Sequence, residues 1–294
     1  MFASLRGVLV TMIFSITIIM VTIPIVCFAL LRLMPIRAWQ HFLNPFLDAC
    51  ANFWIRVNNV QQRWLLPTRL EIEGVSGLDN KEWYMLIANH QAWADILILV
   101  RVFSTDISGV KFFFKRSLLW VPVLGLALWG LDFPSMRRHS KAEVARDPSL
   151  KGKDLERTRQ ACARFRHHPV TIINFLEGTR FTPEKHQQQS SIYRYLLMPK
   201  AGGLAFALNA MDGQLHQMLD VTIYYEDGIP SYWNYVRGNV RLIRVQVRQL
   251  PIPAELLGDY ENDAVFRANF QQWVNGLWQH KDNVMEQLHR RAQK

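Results

Sequence analysis

A histidine and an aspartate five positions apart are the residues whose types and spacing best suit acid–base chemistry. His90 and Asp95 belong to the run Asn-His-Gln-Ala-Trp-Ala-Asp, which directly follows the apolar segment Trp83–Ala88. A free imidazole ionises near pH ~6.5, so a histidine can remove a proton from a hydroxyl near neutral pH. A carboxylate bonded to one ring nitrogen fixes the tautomer and stabilises the imidazolium that forms. We therefore predict that His90 and Asp95 are a catalytic pair.

The pair has no recognisable nucleophile beside it, since the sequence holds no G-x-S-x-G motif. This favours deprotonation of a hydroxyl on a bound substrate, although the spacing alone also fits a structural histidine. No metal or redox cofactor is expected, because the sequence has no HExxH motif, Cys/His cluster or P-loop. Cys27, Cys50 and Cys162 form no C-x-x-C pair, which indicates a reducing compartment.

Two more groups of polar residues follow predicted strands. Glu177-Gly178-Thr179-Arg180 comes after Val170–Phe175, and Pro199-Lys200 comes after Tyr195–Met198. The planar guanidinium of Arg180 suits a phosphate, and Lys200 either faces the same phosphate or is a surface lysine. Glu177 either binds a substrate hydroxyl or holds Arg180. Because active sites of open α/β sheets lie at the carboxyl ends of strands, we predict one shared site.

The elements that must position these residues are alternating strands and helices, typical of an α/β domain around a mainly parallel sheet. Further strands are predicted at Leu70–Glu73, Val110–Phe114, Asp220–Tyr225 and Val240–Val247. Helices are predicted at Trp93–Phe103, Arg116–Trp129, Leu150–His168, Gly202–Met211 and Asn262–Arg291.

The first 60 residues predict a membrane anchor and an amphipathic helix, followed by a catalytic domain over residues 61–294. Gly7 to Leu31 carries no charge and is long enough to span a bilayer, either fully or as a re-entrant segment. The arginines that follow place the C-terminal side in the cytoplasm. Ala38–Val57 has an apolar stripe that either packs on the protein or lies on the bilayer. Ser117–Phe133 is either a buried or membrane-surface element or a second span.

The formal net charge of +10 favours anionic partners, and the 12% aromatic content excludes a solvated disordered chain. Basic residues between Gly109 and Lys141 form either a solvated face or a site for lipid or CoA phosphates. Nucleic acid is not an expected partner, since the sequence has no helix-turn-helix, zinc-finger or RNA-recognition signature. The alternative class of function is a basic membrane-anchored binding protein without catalysis. The presence of His90, Asp95, Glu177 and Arg180 together argues against this alternative.

Four motifs together resemble those of the PlsC-type 1-acylglycerol-3-phosphate acyltransferase family, and they occur in the same order along the chain. The bacterial YihG-like branch of the family is the most similar. Asn89-His90-x4-Asp95 resembles the first motif, and Phe175–Phe181 resembles the third, an F-x-E-G-T-R run in which Leu176 replaces a common proline. Leu197–Gly203 resembles the fourth. The second is looser: Lys115-Arg116, then Val121–Gly125, then Arg137-Arg138, which leaves open which arginine is the equivalent one.

The resemblance implies transfer of a fatty acyl group from acyl-CoA or acyl carrier protein to the sn-2 hydroxyl of 1-acyl-sn-glycerol 3-phosphate, in phospholipid synthesis. It implies His90 as general base, Asp95 as its partner, and a location at the bacterial inner membrane with the catalytic domain on the cytoplasmic side, among anionic lipids. Another acceptor, such as lysophosphatidylglycerol or a lysocardiolipin, is the alternative. The residues that the resemblance implies for substrate binding are Glu177, Gly178, Thr179, Arg180, Arg137, Arg138, Lys115, Pro199, Lys200 and Gly203.

Overall fold

A computed structural model describes residues 2–103, 107, 109–136, 156, 169–211 and 213–293. Within these residues a six-stranded sheet has the order β1-β8-β7-β2-β6-β3, in which every neighbouring pair is parallel except β7 and β8. This confirms the predicted α/β class with a mainly parallel sheet. The strands are β1 Arg69–Glu73, β2 Tyr84–Ala88, β3 Val110–Phe112, β6 Thr171–Phe175, β7 Gln217–Tyr225 and β8 Leu242–Pro251; a second small sheet pairs β4 Phe114–Lys115 with β5 Ser135–Met136.

Helices pack on both faces of the sheet. They are α1 Phe2–Leu31, α2 Arg37–Leu65, α3 Asp95–Phe103, α4 Leu124–Gly130, α5 Pro183–Gln188, α6 Ala201–Ala210, α7 Tyr232–Val236 and α8 Ala264–Ala292; short 3-10 helices occupy Arg116–Trp120 and Ala254–Leu256.

The strand β2 lies at the centre of the sheet, and all of its residues are buried. Met85 and Ile87 pack into a core with α6 and α8, where Leu204 and Trp278 are also buried. The alternate residues of β2 pack into a second core with α3 and α7. Successive side chains of a strand point to opposite faces, so an unbroken apolar run is what a strand covered on both faces requires.

The helix α1 is long and apolar enough to cross a membrane, by length and composition only. In the structure it also packs against elements that follow residue 69. Val10 is buried in the core that contains α7, and near the other end the Arg32 guanidinium lies 2.6 Å from the carboxylate of Asp132. The exposed apolar side chains of α1 and α2 include Leu5, Met12, Ile16, Ile19, Met20, Ile23, Phe42, Phe53 and Trp64.

The strand predicted at Tyr195–Met198 is wrong, because this segment is irregular in the structure. Its backbone is satisfied by side chains instead of by a neighbouring strand. The N–H groups of Arg194 and Tyr195 donate to the carboxylate of Asp282 on α8, at 2.9 and 2.8 Å. The N–H of Met198 donates to the side-chain oxygen of Gln189 at 3.1 Å. Lys200 therefore follows an ordered loop that leads into α6.

The helix predicted over Arg116–Trp129 is interrupted at residues 121–123, between the 3-10 helix and α4. Pro122 and Val123, which has a φ of 65°, separate the 3-10 turn from α4. The strand predicted at Val110–Phe114 ends at Phe112. The helix α2 extends to Leu65, so the predicted boundary after residue 60 falls inside it, and that division stays a prediction. The helix predicted at Leu150–His168 lies outside the described residues, apart from residue 156.

Replacement of Asp282 by alanine should destabilise the fold, because two backbone N–H groups lose their acceptor. We expect a loss of about 1–3 kcal/mol in the free energy of unfolding, measured by denaturant titration in detergent. The matched control is Gln272→Ala on the exposed face of α8, for which a change within about 0.5 kcal/mol is expected. Equal stabilities of the two variants would contradict this account of the irregular segment.

Candidate active site

The turn between β2 and α3 brings His90 and Asp95 together. The Nδ1 atom of His90 lies 2.8 Å from Oδ2 of Asp95. The side chain of Asp95 is 0% exposed and that of His90 is 18% exposed, so the histidine forms the accessible end of the pair. A carboxylate oxygen accepts hydrogen bonds, so Nδ1 carries the proton and Nε2 remains available to a substrate.

Three further donors hold the carboxylate of Asp95. The N–H groups of Gln91 and Ala92 donate to Oδ2 at 2.6 and 2.9 Å. The hydroxyl of Tyr225, the last residue of β7, donates to Oδ1 at 2.5 Å. Burial, and then the charge of Asp95, raise the pKa of Tyr225 well above its ordinary value, which keeps the hydroxyl a neutral donor.

The imidazole of His90 is also fixed by contacts outside the pair. Its ring stacks on that of Phe175 at the end of β6, with centroids 4.1 Å apart and an interplanar angle of 20°. The N–H of Phe181 donates to the carbonyl of His90 at 2.8 Å. The side chain of Asn89 exchanges two hydrogen bonds with the backbone of Ile223, both at 2.9 Å. These contacts join the carboxyl ends of β2, β6 and β7 into one site.

The segment after β6 turns sharply at Gly178, which has a φ of 66° and therefore favours glycine. A Cβ atom at this position would lie 3.6 Å from Nζ of Lys200. The N–H of Lys200 donates to the carbonyl of Leu176 at 2.7 Å. The structure thus brings the third and fourth motifs together, as predicted from their positions at strand ends, although the fourth follows a loop.

Glu177 does not hold Arg180, contrary to one of the two predicted alternatives. Its side chain is 0% exposed, and among the described residues neither carboxyl oxygen accepts a hydrogen bond of good geometry, although the backbone N–H groups of His90 and Leu197 lie close enough to lower its pKa. Burial, and then the charge of Asp95, raise the pKa of Glu177 well above its ordinary value. The guanidinium of Arg180 lies over the ring of Trp93 instead, 4.1 Å from the centroid. Arg180 therefore projects beside the His90 turn.

Lys185 is a neighbour of this motif that sequence reasoning missed. Its Nζ atom donates to the Thr179 hydroxyl at 2.8 Å and to the carbonyl of Arg180 at 2.9 Å. Thr182 caps the short helix α5 by accepting the N–H of Lys185 at 3.3 Å. A threonine followed by a proline is a typical helix start, and this is the signal that could have placed Lys185 against the motif.

A buried lysine behind the site was also missed. Lys281 on α8 is 0% exposed and lies 2.6 Å from the carboxylate of Asp220, which also pairs with Arg248 at 2.8 Å. Its Nζ donates to the carbonyl of Val221 at 2.5 Å. Its charge also favours the ionised form of Glu177, though less than burial opposes it. The available signal was a lysine inside an apolar stripe of α8.

The structure describes only some of the remaining predicted binding residues. Pro199 and Gly203 are buried at the start of α6. Lys115 ends β4, and the position of its side chain lies outside the description. Arg137 and Arg138 lie outside the described residues. The substrate contacts of these five residues stay predictions.

The family model described as Acyltransferase matches residues 69–226, a segment that contains every described strand except β8 and every residue of the site except Lys281 and Arg248. The match covers more than half of the chain. The chain therefore belongs to the acyltransferase family.

Two curated relatives and one solved structure are similar to the chain. A 2-acyl-1-lysophosphatidylinositol acyltransferase of Saccharomyces cerevisiae is 24% identical, over 69% of this chain and 60% of that protein. A 1-acyl-sn-glycerol-3-phosphate acyltransferase gamma of Mus musculus is 27% identical, over 70% and 53%. The chain thus spans less than two thirds of these relatives' length. The crystal structure of the 1-acyl-sn-glycerophosphate acyltransferase PlsC of Thermotoga maritima aligns with a TM-score of 0.49 and 16% identity, over 93% of this chain and 98% of that one.

Replacement of Glu177 by glutamine should change how stability depends on pH. Because the pKa of Glu177 is raised, its protonated form stabilises the fold at low pH, and this contribution is lost as the pH rises through the raised value. Glutamine does not ionise. The free energy of unfolding of Glu177→Gln, relative to the unmodified protein, should therefore increase from pH 5 to pH 8, by up to about 1–3 kcal/mol.

The control for this titration is Glu255→Gln, which alters an exposed carboxylate in the 3-10 helix Ala254–Leu256. Its stability relative to the unmodified protein should not vary with pH. A flat difference for Glu177→Gln as well would contradict a buried, protonated Glu177.

Proposed function

We propose that the protein transfers a fatty acyl group from a thioester donor to the sn-2 hydroxyl of 1-acyl-sn-glycerol 3-phosphate. The observation that carries this proposal is the bond between His90 and the buried carboxylate of Asp95, which leaves the second ring nitrogen accessible. Membership of the acyltransferase family supports the reaction class. The printed names of the relatives support a lysophospholipid acceptor.

In the proposed mechanism, Nε2 of His90 removes the proton of the acceptor hydroxyl while the hydroxyl oxygen attacks the thioester carbonyl. Asp95 holds the ring and stabilises the imidazolium. The tetrahedral intermediate then collapses, the C–S bond breaks, and the imidazolium returns the proton to the departing thiolate of CoA or acyl carrier protein. No acyl group becomes attached to the protein, and no further cofactor is needed in this scheme.

The acceptor phosphate is proposed to bind beside the His90 turn. Arg180 lies over Trp93, and Lys200 lies against Gly178, so two cationic side chains flank the segment that includes Thr179. A planar guanidinium and a lysine ammonium are common phosphate-binding groups. Lys115 and one of Arg137 or Arg138 are proposed to complete the phosphate site. The other predicted role of Glu177, a hydrogen bond to a substrate hydroxyl, stays a prediction, because its side chain is 0% exposed in the structure.

The site is proposed to lie on the cytoplasmic side of the bacterial inner membrane, in a protein of the YihG-like branch. The length and apolar composition of α1 and the exposed apolar side chains of α1 and α2 support a membrane location. The side of the membrane and the branch rest on the arginines and the motifs of the sequence. Apolar surface of this extent on neighbouring helices is typical of a protein that contacts lipid. Anionic lipids are proposed to accompany the basic surface.

A His90→Ala variant should lose acyl transfer from acyl-CoA to 1-acyl-sn-glycerol 3-phosphate by roughly 100- to 10,000-fold, since the general base is removed. Release of free thiol that depends on the added lysolipid measures the rate. The control is His216→Ala, which removes an exposed histidine. Near-normal turnover by a folded His90→Ala variant would overturn the mechanism.

A second acceptor, another lysophospholipid, is favoured by the name of the yeast relative. Parallel assays with lysophosphatidic acid, lysophosphatidylinositol, lysophosphatidylglycerol and lysocardiolipin, each with an acyl-CoA and an acyl carrier protein donor, separate the two candidates. We expect the product to form fastest from lysophosphatidic acid, as measured by mass detection. A preference for a larger headgroup would move the proposal to phospholipid remodelling.

Trp93→Ala should weaken binding of the acceptor phosphate, because Arg180 loses the ring that orients it. The expected effect is a rise in the acceptor KM of about 2- to 30-fold, corresponding to ~0.5–2 kcal/mol for a cation–π contact. Trp93→Phe keeps a ring and should have a smaller effect. Trp120→Ala removes another exposed tryptophan and serves as the control. An unchanged KM in Trp93→Ala would exclude this role.

A further inference from the structure

We propose that Tyr225 is a positioning residue of the active site, which acts through Asp95 to orient His90 and to set how readily it accepts a proton. The proposal rests on the proposed role of His90 as general base. Its geometric basis is the 2.5 Å hydrogen bond from the Tyr225 hydroxyl to Oδ1 of Asp95. Both side chains are buried, with exposures of 3% and 0%.

The two oxygens of the Asp95 carboxylate are held in different ways. Oδ2 is bonded by His90 and by the N–H groups of Gln91 and Ala92, all from the local turn. Among the described residues, Oδ1 has a hydrogen bond from Tyr225 alone. A buried carboxylate oxygen needs a donor to remain ionised in an apolar core. Tyr225 is therefore the group that ties this carboxylate to the rest of the protein.

The strand β7 supplies this tie at a fixed register. Ile223 exchanges two backbone hydrogen bonds with the Asn89 side chain, and Tyr225 lies two residues further along the same strand. Residues two apart on a strand point to the same face. The end of β7 thus fixes both the residue before His90 and the carboxylate that holds His90. A shift of β7 would displace the whole turn.

The bond also affects the chemistry of the pair. A hydroxyl that donates to a carboxylate withdraws part of its negative charge, so the carboxylate attracts an imidazolium less strongly. Loss of the hydroxyl should strengthen that attraction and retain the proton on His90 to higher pH. The acidic limb of the kcat/KM profile would then move to higher pH, because the base must be unprotonated to act.

Other ionisable groups face the pair and stay in place when the hydroxyl is removed. They are Glu177 from the segment after β6, which interacts with Asp95, and Lys281 from α8, which interacts with Glu177. Tyr235 from α7 faces Tyr225. None of these groups donates to Oδ1 of Asp95 in the structure, so none replaces the lost hydrogen bond directly.

The test is Tyr225→Phe, which removes only the hydroxyl. We expect a kcat about 10- to 100-fold lower, similar to the effect of removing groups that orient metal-ligating histidines, and an acidic limb of the profile at higher pH. The matched control is Tyr235→Phe. Tyr235 is 0% exposed and donates to the side-chain oxygen of Gln62 at 2.7 Å, so its variant loses a similar buried bond that reaches neither Asp95 nor His90. Its kcat and pH profile should stay unchanged.

A second readout does not depend on turnover. The titration midpoint of His90, followed by NMR with histidine-labelled protein, should rise in Tyr225→Phe and stay constant in Tyr235→Phe. An unchanged midpoint and profile in a folded Tyr225→Phe variant would overturn the proposal. If the midpoint moves while His90→Ala keeps its activity, Tyr225 positions His90 but the proposed mechanism is wrong. Melting temperatures of both tyrosine variants separate these effects from loss of folding.

Discussion

The hydrogen bonding of one buried carboxylate, that of Asp95, is the constraint on which the rest of the site depends. A carboxylate with no exposed surface is costly to bury unless several donors surround it. The turn after β2 supplies two backbone donors and His90, and β7 supplies Tyr225. These demands fix the start of α3 and the placement of β7 beside β2. The imidazole orientation that the chemistry needs follows from the same contacts.

Buried ionisable groups behind the site are costly to build. The Nζ of Lys281 is held by Asp220 and by the carbonyl of Val221 on β7, and burial raises the pKa of Glu177, which favours its neutral form. Removing a charge from water costs several kcal/mol unless partners compensate, so this arrangement opposes folding stability. The large apolar cores on both sheet faces offset that cost. Ionisable groups whose pKa values are shifted by burial are typical of functional sites.

Much of the fold was predictable because local pattern and tertiary structure agree. The unbroken apolar run of β2 indicates a strand covered on both faces, and polar residues directly after β2 and β6 indicate the edge where the site lies. The segment Tyr195–Met198 has the same apolar pattern, but the distant carboxylate of Asp282 takes its backbone donors. Tyr225 and Lys281 escaped prediction for a similar reason: their partners, Asp95 and Asp220, are far away in the chain. No local spacing encodes such contacts.

For His90 to act as the proposed base, Asp95 must hold the ring with the proton on Nδ1, so that Nε2 is free. The tautomer can be measured directly from the ¹⁵N chemical shifts of His90 in labelled protein near neutral pH, assigned by comparison with a His90→Gln variant. A protonated Nδ1 and an unprotonated Nε2 are predicted, with the populations altered in Asp95→Asn. A neutral ring that carries its proton on Nε2 in the unmodified protein would contradict the account.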